Sequence, residues 1–262
     1  MLTSKNIVLT GADSGIGYAI LKILAADRSN RILAVDMNES KMHLFCDNVV
    51  PYKCDISSKE ATDKIFEKAE SVFDKIDIFF ANAGFGYYEI MDYEDWERTE
   101  KIFRTNVFSP IYSYQKYRKH LNGRDGHFIL TGSAIGRLSL PGYALYSSTK
   151  FALDSFQRSI KYELPKNIKF TFLCPVCISD TDFYNRASRV SFEIPSPVQD
   201  IKAAAKKIVY GIEKEKKTIY PYPLFAIAEQ LSALCPPAKL LYLAHEKKKL
   251  KRFAMKTGKR LH

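Results

Sequence analysis

Cysteine is scarce in this chain, with five residues in 262, and the number is odd. A disulfide framework needs more cysteines, in pairs, so we expect reduced thiols and a cytoplasmic location. The chain also lacks any run of about 18 apolar residues, so no segment is expected to span a bilayer. A strand pattern starts close to Met1, in place of the basic and then apolar sequence of a leader peptide.

Acidic residues are outnumbered, with 29 Asp and Glu against 40 Lys and Arg, and the net charge is +11. The excess lies after residue 238, where nine basic residues face a single acid, Glu246. Segment 239–262 therefore carries +8 and the rest of the chain +3. With 46% hydrophobic and 26% charged residues, the composition is globular, and the length suits one large domain.

Short apolar runs alternate with amphipathic stretches along the first 221 residues. We expect seven strands, at 5–10, 31–36, 49–54, 76–81, 126–131, 168–174 and 218–221. We expect helices after the first strand up to about residue 26, and at 59–73, 96–121 (bent at Pro110), 143–164 and 196–215. This alternation predicts an α/β fold with a doubly wound parallel sheet and helices on both faces. We assign residues 1–221 to this domain and residues 222–262 to a C-terminal extension.

Glycine is concentrated between the first strand and the first helix. Thr10, Gly11, Gly15 and Gly17 form a Thr-Gly-x-x-x-Gly-x-Gly pattern. Glycines allow the backbone to turn tightly and to approach a pyrophosphate at the positive end of a helix. A lone glycine-rich turn is weak evidence, but its place in a strand–turn–helix unit favours dinucleotide binding.

Asp36 ends the second strand, 19 residues after Gly17, near the spacing of an acid that binds ribose hydroxyls. A carboxylate there repels a 2′-phosphate, and neither Ser14 nor Met37 supplies the basic group that such a phosphate needs. The sequence therefore favours NAD over NADP. The alternative is that Asp36 only forms the turn at the strand end.

Tyr146 and Lys150 are four residues apart, so on a helix they lie on one face. A phenol with a pKa of about 10 is a poor base at neutral pH, but a neighbouring ammonium and a bound nicotinamide cation favour the phenolate. Such a group exchanges a proton with a carbonyl or alcohol oxygen, which Ser133 at the end of the fifth strand can hold. The alternative is an ordinary exposed Tyr–Lys pair.

These segments together resemble the short-chain dehydrogenase/reductase family, in its shorter, non-epimerase branch, over residues 4 to about 221. The matching positions are Thr10, Gly11, Gly15, Ile16, Gly17, Asp55, Ile56, Asn82, Ala83, Gly84, Asn106, Ser133, Tyr146 and Lys150. The resemblance implies a Rossmann-like sheet of about seven strands. It also implies a homodimer or homotetramer.

The resemblance implies a mechanism that agrees with the reading of the residues. Tyr146 exchanges the proton, Lys150 lowers the pKa of Tyr146 and holds the nicotinamide ribose, Ser133 binds the reacting oxygen, and Asn106 holds a water that links Lys150 to solvent. The cofactor carries the hydride chemistry. The cofactor contacts implied in addition to the matching positions are Ser14, Asp36, Pro175, Ile178 and Thr181.

The chain departs from the family pattern after the sixth strand. Val176 replaces the usual glycine, and the usual threonine position holds Asp180, with Thr181 one place later. Ala81 stands where the family often has a second asparagine. These changes put the contact of Thr181 with the nicotinamide amide in doubt.

Other kinds of site have little support. The Cys174-x-x-Cys177 pair has no second Cys/His pair, so we predict no metal and read Cys174 as a small apolar residue at a strand end. The five histidines form no ligand or nucleophile spacing. Residues 132–136 are not a Gly-x-Ser-x-Gly elbow, which argues against a hydrolase.

Aromatic and aliphatic residues follow the strands that should border the substrate. We expect a hydrophobic alcohol or ketone, such as a steroid or lipid, although part of this set could be ordinary core. The candidates are Phe85, Tyr87, Tyr88, Leu138, Leu140, Phe183 and Tyr184.

The extension, residues 222–262, should form two short helical pieces broken at Pro236 and Pro237, followed by the basic run. One interpretation is peripheral contact with an anionic membrane. The other is a helix packed on the domain or a subunit interface, with a solvated basic end. Nucleic-acid binding is the weakest interpretation, because no recognisable module accompanies the charge.

Two functions from different classes fit these observations. The first is an NAD-dependent alcohol or ketone oxidoreductase. The second is a non-catalytic protein that senses a dinucleotide on the same fold. The complete set of Asn106, Ser133, Tyr146 and Lys150 favours the enzyme, because a sensor does not need proton-transfer residues.

Overall fold

The central sheet accounts for most of the apolar runs in the sequence. The computed structural model of the chain describes residues 2–234 and 236–259, with the backbone alone at 232–234, 236 and 238. Within these residues seven parallel strands form one sheet, in the order β3-β2-β1-β4-β5-β6-β9. They are β1 (Asn6–Thr10), β2 (Arg31–Asp36), β3 (Val49–Lys53), β4 (Ile78–Ala81), β5 (Gly126–Thr131), β6 (Ile168–Leu173) and β9 (Thr218–Ile219).

The helices lie on both faces of this sheet. They are α1 (Gly15–Ala25), α2 (Lys59–Val72), α3 (Trp96–Phe103), α4 (Ser109–Leu121), α5 (Ala144–Ile160), α6 (Phe183–Ala187), α7 (Ile201–Glu213), α8 (Pro223–Leu234) and α9 (Pro236–Thr257). The predicted doubly wound fold with about seven strands is confirmed. No helix among the described residues is both long and apolar enough to cross a bilayer.

Alternate strand residues face opposite helical layers. Val8 of β1 packs in the layer that contains residues of α2, α4 and α5, whereas Ile7 and Leu9 pack in the layer that contains residues of α1 and α7. Phe79 and Phe80 of β4 divide in the same way. Both faces are therefore buried, which is why these strands read as continuous apolar runs.

The chain reverses its strand order between β1 and β4. Strands β2 and β3 lie on one side of β1, and β4 begins the other side. The loops that leave β1 and β4 therefore diverge to opposite faces of the sheet and leave a crevice at the carboxyl ends of the strands. The candidate site lies in this crevice.

The helix expected at 96–121 is present but is not a regular α-helix throughout. A π-helical segment, Arg104–Phe108, joins α3 to α4, and the N–H of Ser109 donates to the carbonyl of Arg104. Pro110 has no N–H, so the carbonyl of Asn106 lacks its usual α-helical donor. Pro110 thus interrupts the ladder, as predicted, at the turn that carries Asn106.

Most of the segment 196–215 is helical, as predicted, but the helix starts at Ile201. Residues 196–200 are not helical: a two-stranded sheet of β7 (Cys177–Ile178) and β8 (Val198–Gln199) precedes α7. Asp200 ends this extended stretch by capping α7, since its side chain accepts from the N–H of Ala203.

The C-terminal extension forms two helices, α8 and α9, on either side of residue 235. The basic run is not a separate tail, because Pro236–Thr257 is one helix of 22 residues. Met1, Cys235 and residues 260–262 lie outside the described residues.

Candidate active site

A cleft of about 880 Å³ follows the carboxyl ends of the central strands. Its walls come from the segments after β1, β2, β3, β4, β5 and β6, and from α6 and α8. The predicted site residues that line it are Gly11, Ser14, Gly15, Ile16, Gly17, Asp36, Asp55, Ile56, Asn82, Ala83, Gly84, Ser133, Tyr146, Lys150, Pro175, Ile178 and Thr181. Thr10 and Asn106 lie behind this surface and support it.

The glycine-rich turn after β1 needs glycine at two close backbone approaches. A Cβ on Gly11, whose φ is +70°, would lie 2.8 Å from the Cα of Ala83. A Cβ on Gly17 would lie 1.9 Å from the carbonyl oxygen of Gly11. Any larger residue at either position would push α1 away from the strand ends.

The start of α1 has the features of an anion site. The helix begins at Gly15, has no acidic residue in its first turn, and the side chain of Ser14 makes no capping bond. The nearest atom to a Cβ on Gly15 would be 3.8 Å away, on Thr181, so the turn is open on that side. The N–H groups of this turn and the helix dipole fit the pyrophosphate of a dinucleotide.

Asn82 ties three strand ends together. Its side-chain Nδ2 donates to the carbonyl of Thr10 at 3.1 Å, and its Oδ1 accepts from the hydroxyl of Thr131 at 3.3 Å. The hydroxyl oxygen of Thr10 accepts from the N–H groups of Asn82 and Ala83, at 3.0 and 3.1 Å. These bonds fix the relative positions of β1, β4 and β5 under the cleft.

Asp36 is positioned by the glycine-rich turn. One carboxylate oxygen accepts from the N–H of Asp13 at 3.0 Å and the other from the N–H of Asn38 at 3.2 Å. The buried carboxylate of Asp13 in turn accepts from the N–H groups of Lys41 and Met42, at 2.7 and 3.0 Å. Asp13 therefore fixes the loop after β2, a role that the sequence analysis missed.

Asp55 and Ile56 follow β3 on the same wall of the cleft. Asp55 accepts from the N–H of Ser57 at 3.0 Å, and Ile56 is 7% exposed. A carboxylate and an apolar side chain therefore lie next to each other on this wall of the cleft.

Lys150 is buried at the centre of the site. Its Nζ donates to the carbonyl of Thr131 at 3.0 Å and lies 5.8 Å from the centre of the Tyr146 ring. Burial lowers the pKa of Lys150 to about 8. The helical spacing thus brings the amine and the ring together, as predicted.

The phenol of Tyr146 is not made acidic by the protein chain itself. Burial raises the pKa of Tyr146, and a hydrogen bond with Ser133 opposes this effect. We expected the ammonium of Lys150 to lower this pKa, but the effect of desolvation dominates and raises it. Ser133, which also accepts from the N–H of Ile135 at 3.2 Å, is the group that contacts the phenol.

Asn106 uses its side chain to hold the loop after β4. Its Nδ2 donates to the carbonyl of Phe85 at 2.7 Å and to the hydroxyl of Thr149 at 3.1 Å. Its Oδ1 accepts from the N–H of Phe85 at 3.1 Å. The main-chain carbonyl of Asn106 has no N–H donor four residues later, because residue 110 is proline.

The segment after β6 closes the cleft near the glycine-rich turn. Val176, the departure from the family glycine, is 8% exposed and lines the cleft. Asp180 has a φ of +56°, and Thr181, which follows it, lines the cleft with its hydroxyl 3.4 Å from the carbonyl of Ile178. Thr181 therefore occupies the side of the cleft opposite Gly15.

Six of the seven predicted substrate-wall residues line the cleft: Phe85, Tyr87, Leu138, Leu140, Phe183 and Tyr184. The seventh, Tyr88, was predicted wrongly. It is 4% exposed and packs in an aromatic cluster with Phe192 and Phe253, at centroid distances of 4.1 and 4.8 Å. Phe253 belongs to α9, so sequence position alone could not reveal this contact.

Helix α9 holds the segment that borders the apolar end of the cleft. Tyr242 donates to the carbonyl of Ser196 at 2.7 Å, and Lys249 donates to the carbonyl of Ile194 at 3.2 Å. Arg252 binds both carboxylate oxygens of Glu193, at 2.6 and 2.7 Å. Later residues of α9 thus contact earlier residues of the segment 193–196, so the two segments are antiparallel.

Arg137 was not singled out by the sequence analysis. It lines the cleft four residues after Ser133 and forms ion pairs with Asp154 of α5 and Glu229 of α8, each at 2.7 Å. Its position in the loop after β5 could have indicated that it lies at the cleft. Its ion-pair partners could not be predicted, because they lie far away in the sequence. Arg137 joins α8 to the loop that carries Ser133.

Metal ligands do not cluster at this site. Among residues 2–234 and 236–259, no group of three or more His, Cys, Asp or Glu residues is arranged to hold a metal ion. Cys174, at the end of β6, is 1% exposed and forms part of the core.

The glycine-rich turn and the Ser133, Tyr146 and Lys150 group define an NAD(P)-binding Rossmann fold with an oxidoreductase site. The short chain dehydrogenase family model matches residues 5–190, and the chain belongs to this family. It is 29% identical over 254 residues to the uncharacterized oxidoreductase YxnA of Bacillus subtilis, covering 90% of this chain and 70% of that protein. It is 27% identical over 249 residues to human epidermal retinol dehydrogenase 2, covering 90% and 79%.

Two solved structures share the fold. A short chain dehydrogenase/reductase from Burkholderia phymatum, in complex with NAD, matches with a TM-score of 0.78 and 19% identity, over 91% of this chain and 97% of that one. A short chain dehydrogenase from Burkholderia cenocepacia, in complex with NADP, matches with a TM-score of 0.78 and 21% identity, over 92% and 98%. Because one neighbour binds NAD and the other NADP, the fold alone does not determine which of the two cofactors this chain prefers.

The buried ion pair of α9 generates a test of how firmly the extension is held. Lys249 and Glu246 are 2.8 Å apart, with side chains 6% and 4% exposed. Replacing Lys249 by Met leaves the Glu246 carboxylate buried without its cation, so the free energy of unfolding should fall by about 3–5 kcal/mol in urea titrations. The exposed Lys169–Glu215 pair is the control, and Lys169→Met should cost under about 1 kcal/mol. An equal decrease in the free energy of unfolding in both variants would show that the Lys249–Glu246 pair is not buried and stabilising as described.

Proposed function

We propose that this chain is an NAD-dependent oxidoreductase that transfers a hydride between nicotinamide and a hydrophobic alcohol or ketone. The observation that carries the proposal is the convergence of Ser133, Tyr146 and Lys150 in one cleft with the glycine-rich turn. The aromatic wall and the name of the human relative, a retinol dehydrogenase, support a hydrophobic substrate. The alternative, a dinucleotide sensor, has no use for this proton-transfer group.

The chain's own residues supply proton transfer and positioning. Bound nicotinamide supplies the hydride acceptor or donor. Tyr146 exchanges a proton with the substrate oxygen, and Ser133 donates to that oxygen and holds it beside the phenol. Because burial favours the neutral phenol, Tyr146 is poised to protonate a carbonyl oxygen. In the oxidation direction, the ammonium of Lys150 has to stabilise the phenolate.

Proton supply to Tyr146 has a route through Lys150. A Cβ on Gly84 would lie 3.1 Å from Oδ1 of Asn106 and 3.6 Å from Nζ of Lys150. The side chains of Asn106 and Lys150 are therefore neighbours. The Asn106 carbonyl, which has no donor at position 110 because that residue is proline, is an acceptor for a water molecule. We assign Asn106 the binding of this water and Lys150 the relay.

The preference for NAD rests on Asp36 and its surroundings. Both carboxylate oxygens accept from backbone N–H groups, which fixes the charge at the cleft wall beside Met37. A 2′-phosphate placed there would meet this carboxylate, whereas ribose hydroxyls would donate to it. The carboxylate of Asp13, 5% exposed, adds negative charge behind the same loop.

We also propose a cytoplasmic protein that forms a homodimer or homotetramer and consists of a domain, 1–221, and an extension, 222–262. Exposed aromatic residues on the helices next to the active site support self-association. Phe108 is 58% exposed and Phe151 is 40% exposed.

Tyr146→Phe removes the proton donor and keeps the shape of the ring. We expect alcohol oxidation, followed by NADH absorbance, to fall by about 100-fold or more, because positioned acid–base groups contribute that much. Binding of NADH, followed by fluorescence, should stay close to that of the wild type. Tyr162→Phe is the control, since Tyr162 is 83% exposed and outside the cleft. Retained turnover in Tyr146→Phe would overturn the assigned role.

Asp36→Ala removes the charge that faces the adenosine ribose. We expect the ratio of kcat/KM with NAD to kcat/KM with NADP to fall at least about tenfold, which corresponds to about 1.4 kcal/mol. Asp36→Arg should shift the ratio further. The exposed acid Asp47, outside the cleft, is the control. An unchanged ratio in both Asp36 variants would show that selectivity arises elsewhere.

The extension carries a surface that fits peripheral contact with an anionic membrane. Leu240 and Leu241 are 64% and 74% exposed, and Leu224, Ile227 and Leu231 of α8 are more than half exposed. At 100° per residue, Lys247, Lys248 and Lys251 lie on the same face of α9 as Leu240 and Leu241. Apolar residues beside lysines suit the boundary of an anionic bilayer.

Liposome flotation tests this surface. The wild type should float with vesicles that contain phosphatidylserine and not with pure phosphatidylcholine, and Leu240→Gln combined with Leu241→Gln should abolish flotation. Leu44→Gln, at another site with 74% exposure, is the control. Failure of the wild type to float with anionic vesicles would remove the membrane proposal.

A further inference from the structure

The loop that carries Ser133 is held at both ends. At its start, the N–H of Ala134 donates to the carbonyl of Pro175 at 2.8 Å. The next residues, Ala134–Gly136, form a single 3-10 turn, which the Ser133 side chain caps. Arg137 follows this turn, and its N–H donates to the carbonyl of Ala134 at 3.0 Å. The position of the Ser133 hydroxyl therefore depends on where this turn lies.

The 3-10 turn lies directly against helix α5. A Cβ on Gly136 would be 2.5 Å from the carbonyl oxygen of Lys150 and 3.1 Å from its Cβ, so a larger residue would push the turn away from the helix. Tyr146, Lys150 and Asp154 follow one another at intervals of four residues, so they form one stripe along α5. The turn therefore packs on α5 at the level of Lys150, between Tyr146 and Asp154.

Arg137 attaches this turn to α5 one helical turn beyond Lys150. Its Nε lies 2.7 Å from Oδ1 of Asp154, and the two side chains are only 10% and 9% exposed. The guanidinium also lies over the buried ring of Phe172, 5.8 Å from its centre. Because salt screens buried ion pairs much less than exposed ones, this contact is a firm link between the Ser133 loop and the helix that carries Tyr146.

We propose that Arg137 is a positioning residue, whose ion pair with Asp154 holds the Ser133 hydroxyl beside the phenol of Tyr146. This inference rests on the proposed oxidoreductase function and assigns Arg137 an action through Ser133. Ser133 forms a hydrogen bond with the phenol, so a shift of the turn along α5 would change that contact directly. A displacement of about 1 Å at a reacting group is enough to cost about a hundredfold in rate.

Arg137 also binds a second helix, and this contact provides a different route by which it could act. Its Nη1 lies 2.7 Å from Oε1 of Glu229 on α8, which borders the cleft. The hydroxyl of Tyr220 donates to the other carboxylate oxygen of Glu229 at 3.2 Å, so α8 keeps this bond when Arg137 is replaced. Loss of the Glu229 contact should therefore act on the fit of the substrate, and loss of the Asp154 contact on Ser133.

The chain contains a matched control for the ion pair with Asp154. Arg158 also places its Nε 2.7 Å from this carboxylate, on the other oxygen, but its side chain is 54% exposed and does not line the cleft. Arg137→Met and Arg158→Met each remove one arginine from the same carboxylate, and only the first releases the Ser133 loop. Arg137→Lys keeps the positive charge but loses the planar fork that reaches both acids, and it replaces Arg137→Met in every measurement if that variant does not fold.

Steady-state kinetics with NAD test the inference on whichever of cyclohexanol, 1-octanol and retinol the wild type oxidises fastest. We expect kcat to fall about ten- to a hundredfold in Arg137→Met, with KM for NAD close to that of the wild type, and to fall less in Arg137→Lys. In Arg158→Met, kcat should stay near the wild-type value. In a Ser133→Ala background, Arg137→Met should lower kcat by less than about threefold, because the hydroxyl that it positions is already absent. Equal effects of Arg137→Met in the two backgrounds would overturn the inference.

Glu229→Gln separates the two contacts of Arg137. This variant should change KM for the alcohol more than kcat, because α8 borders the cleft and does not carry Ser133. If kcat falls in Glu229→Gln as far as it falls in Arg137→Met, Arg137 acts through α8, and the inference is wrong.

Hydrogen exchange followed by mass spectrometry tests the position of the loop without a substrate. In Arg137→Met, the peptide that covers residues 131–138 should exchange its amide hydrogens faster than in the wild type, while peptides from β1 and β2 keep their rates. In Arg158→Met, all of these peptides should exchange at the wild-type rate. Unchanged exchange of residues 131–138 in Arg137→Met would overturn the inference, whatever the activity. Failure of the wild type to oxidise any of the three alcohols would count against the proposed function alone, so the two failures are distinguishable.

Discussion

The buried ammonium of Lys150 donates to the carbonyl of Thr131, and the rest of the site depends on this contact. The hydroxyl of Thr131 donates to Asn82, and Asn82 donates to the carbonyl of Thr10. One chain of hydrogen bonds thus runs from α5 across the ends of β5, β4 and β1. It holds the amine and the phenol near the glycine-rich turn, although this turn lies more than a hundred residues before them in the sequence.

The features that were predictable from sequence are those that local patterns determine. Apolar runs marked the strands, and a step of four residues placed Tyr146 and Lys150 together. The π-helical turn around Asn106 was only partly predicted. Pro110 shows that one backbone hydrogen bond of the helix is missing, but it does not show that the helix adapts by forming a π-helical turn. The wrong placement of Tyr88 has a long-range cause, since Phe253 and Phe192 cover its ring.

Electrostatics was the other limit of sequence analysis. The neighbouring amine suggested an acidic phenol, but the same packing that brings the groups together also removes water. Desolvation therefore raises the pKa of Tyr146 and lowers that of Lys150. Both effects favour the neutral forms, but a pKa of about 8 leaves Lys150 protonated at neutral pH, so the resting site contains a neutral phenol beside an ammonium. The spacing in the sequence predicts that Tyr146 and Lys150 lie close together, but only the fold shows how far both groups are removed from water.

The antiparallel contact between α9 and residues 193–196 has a consequence for how such proteins diverge. The glycine-rich turn and the group of Ser133, Tyr146 and Lys150 lie in the first two thirds of the chain, whereas one border of the cleft is kept in place by the last helix. Divergence of that helix would change this border of the cleft, and with it the packing of Phe253 on Tyr88. Changes in the last helix would therefore act on the border of the cleft at residues 193–196 rather than on the glycine-rich turn.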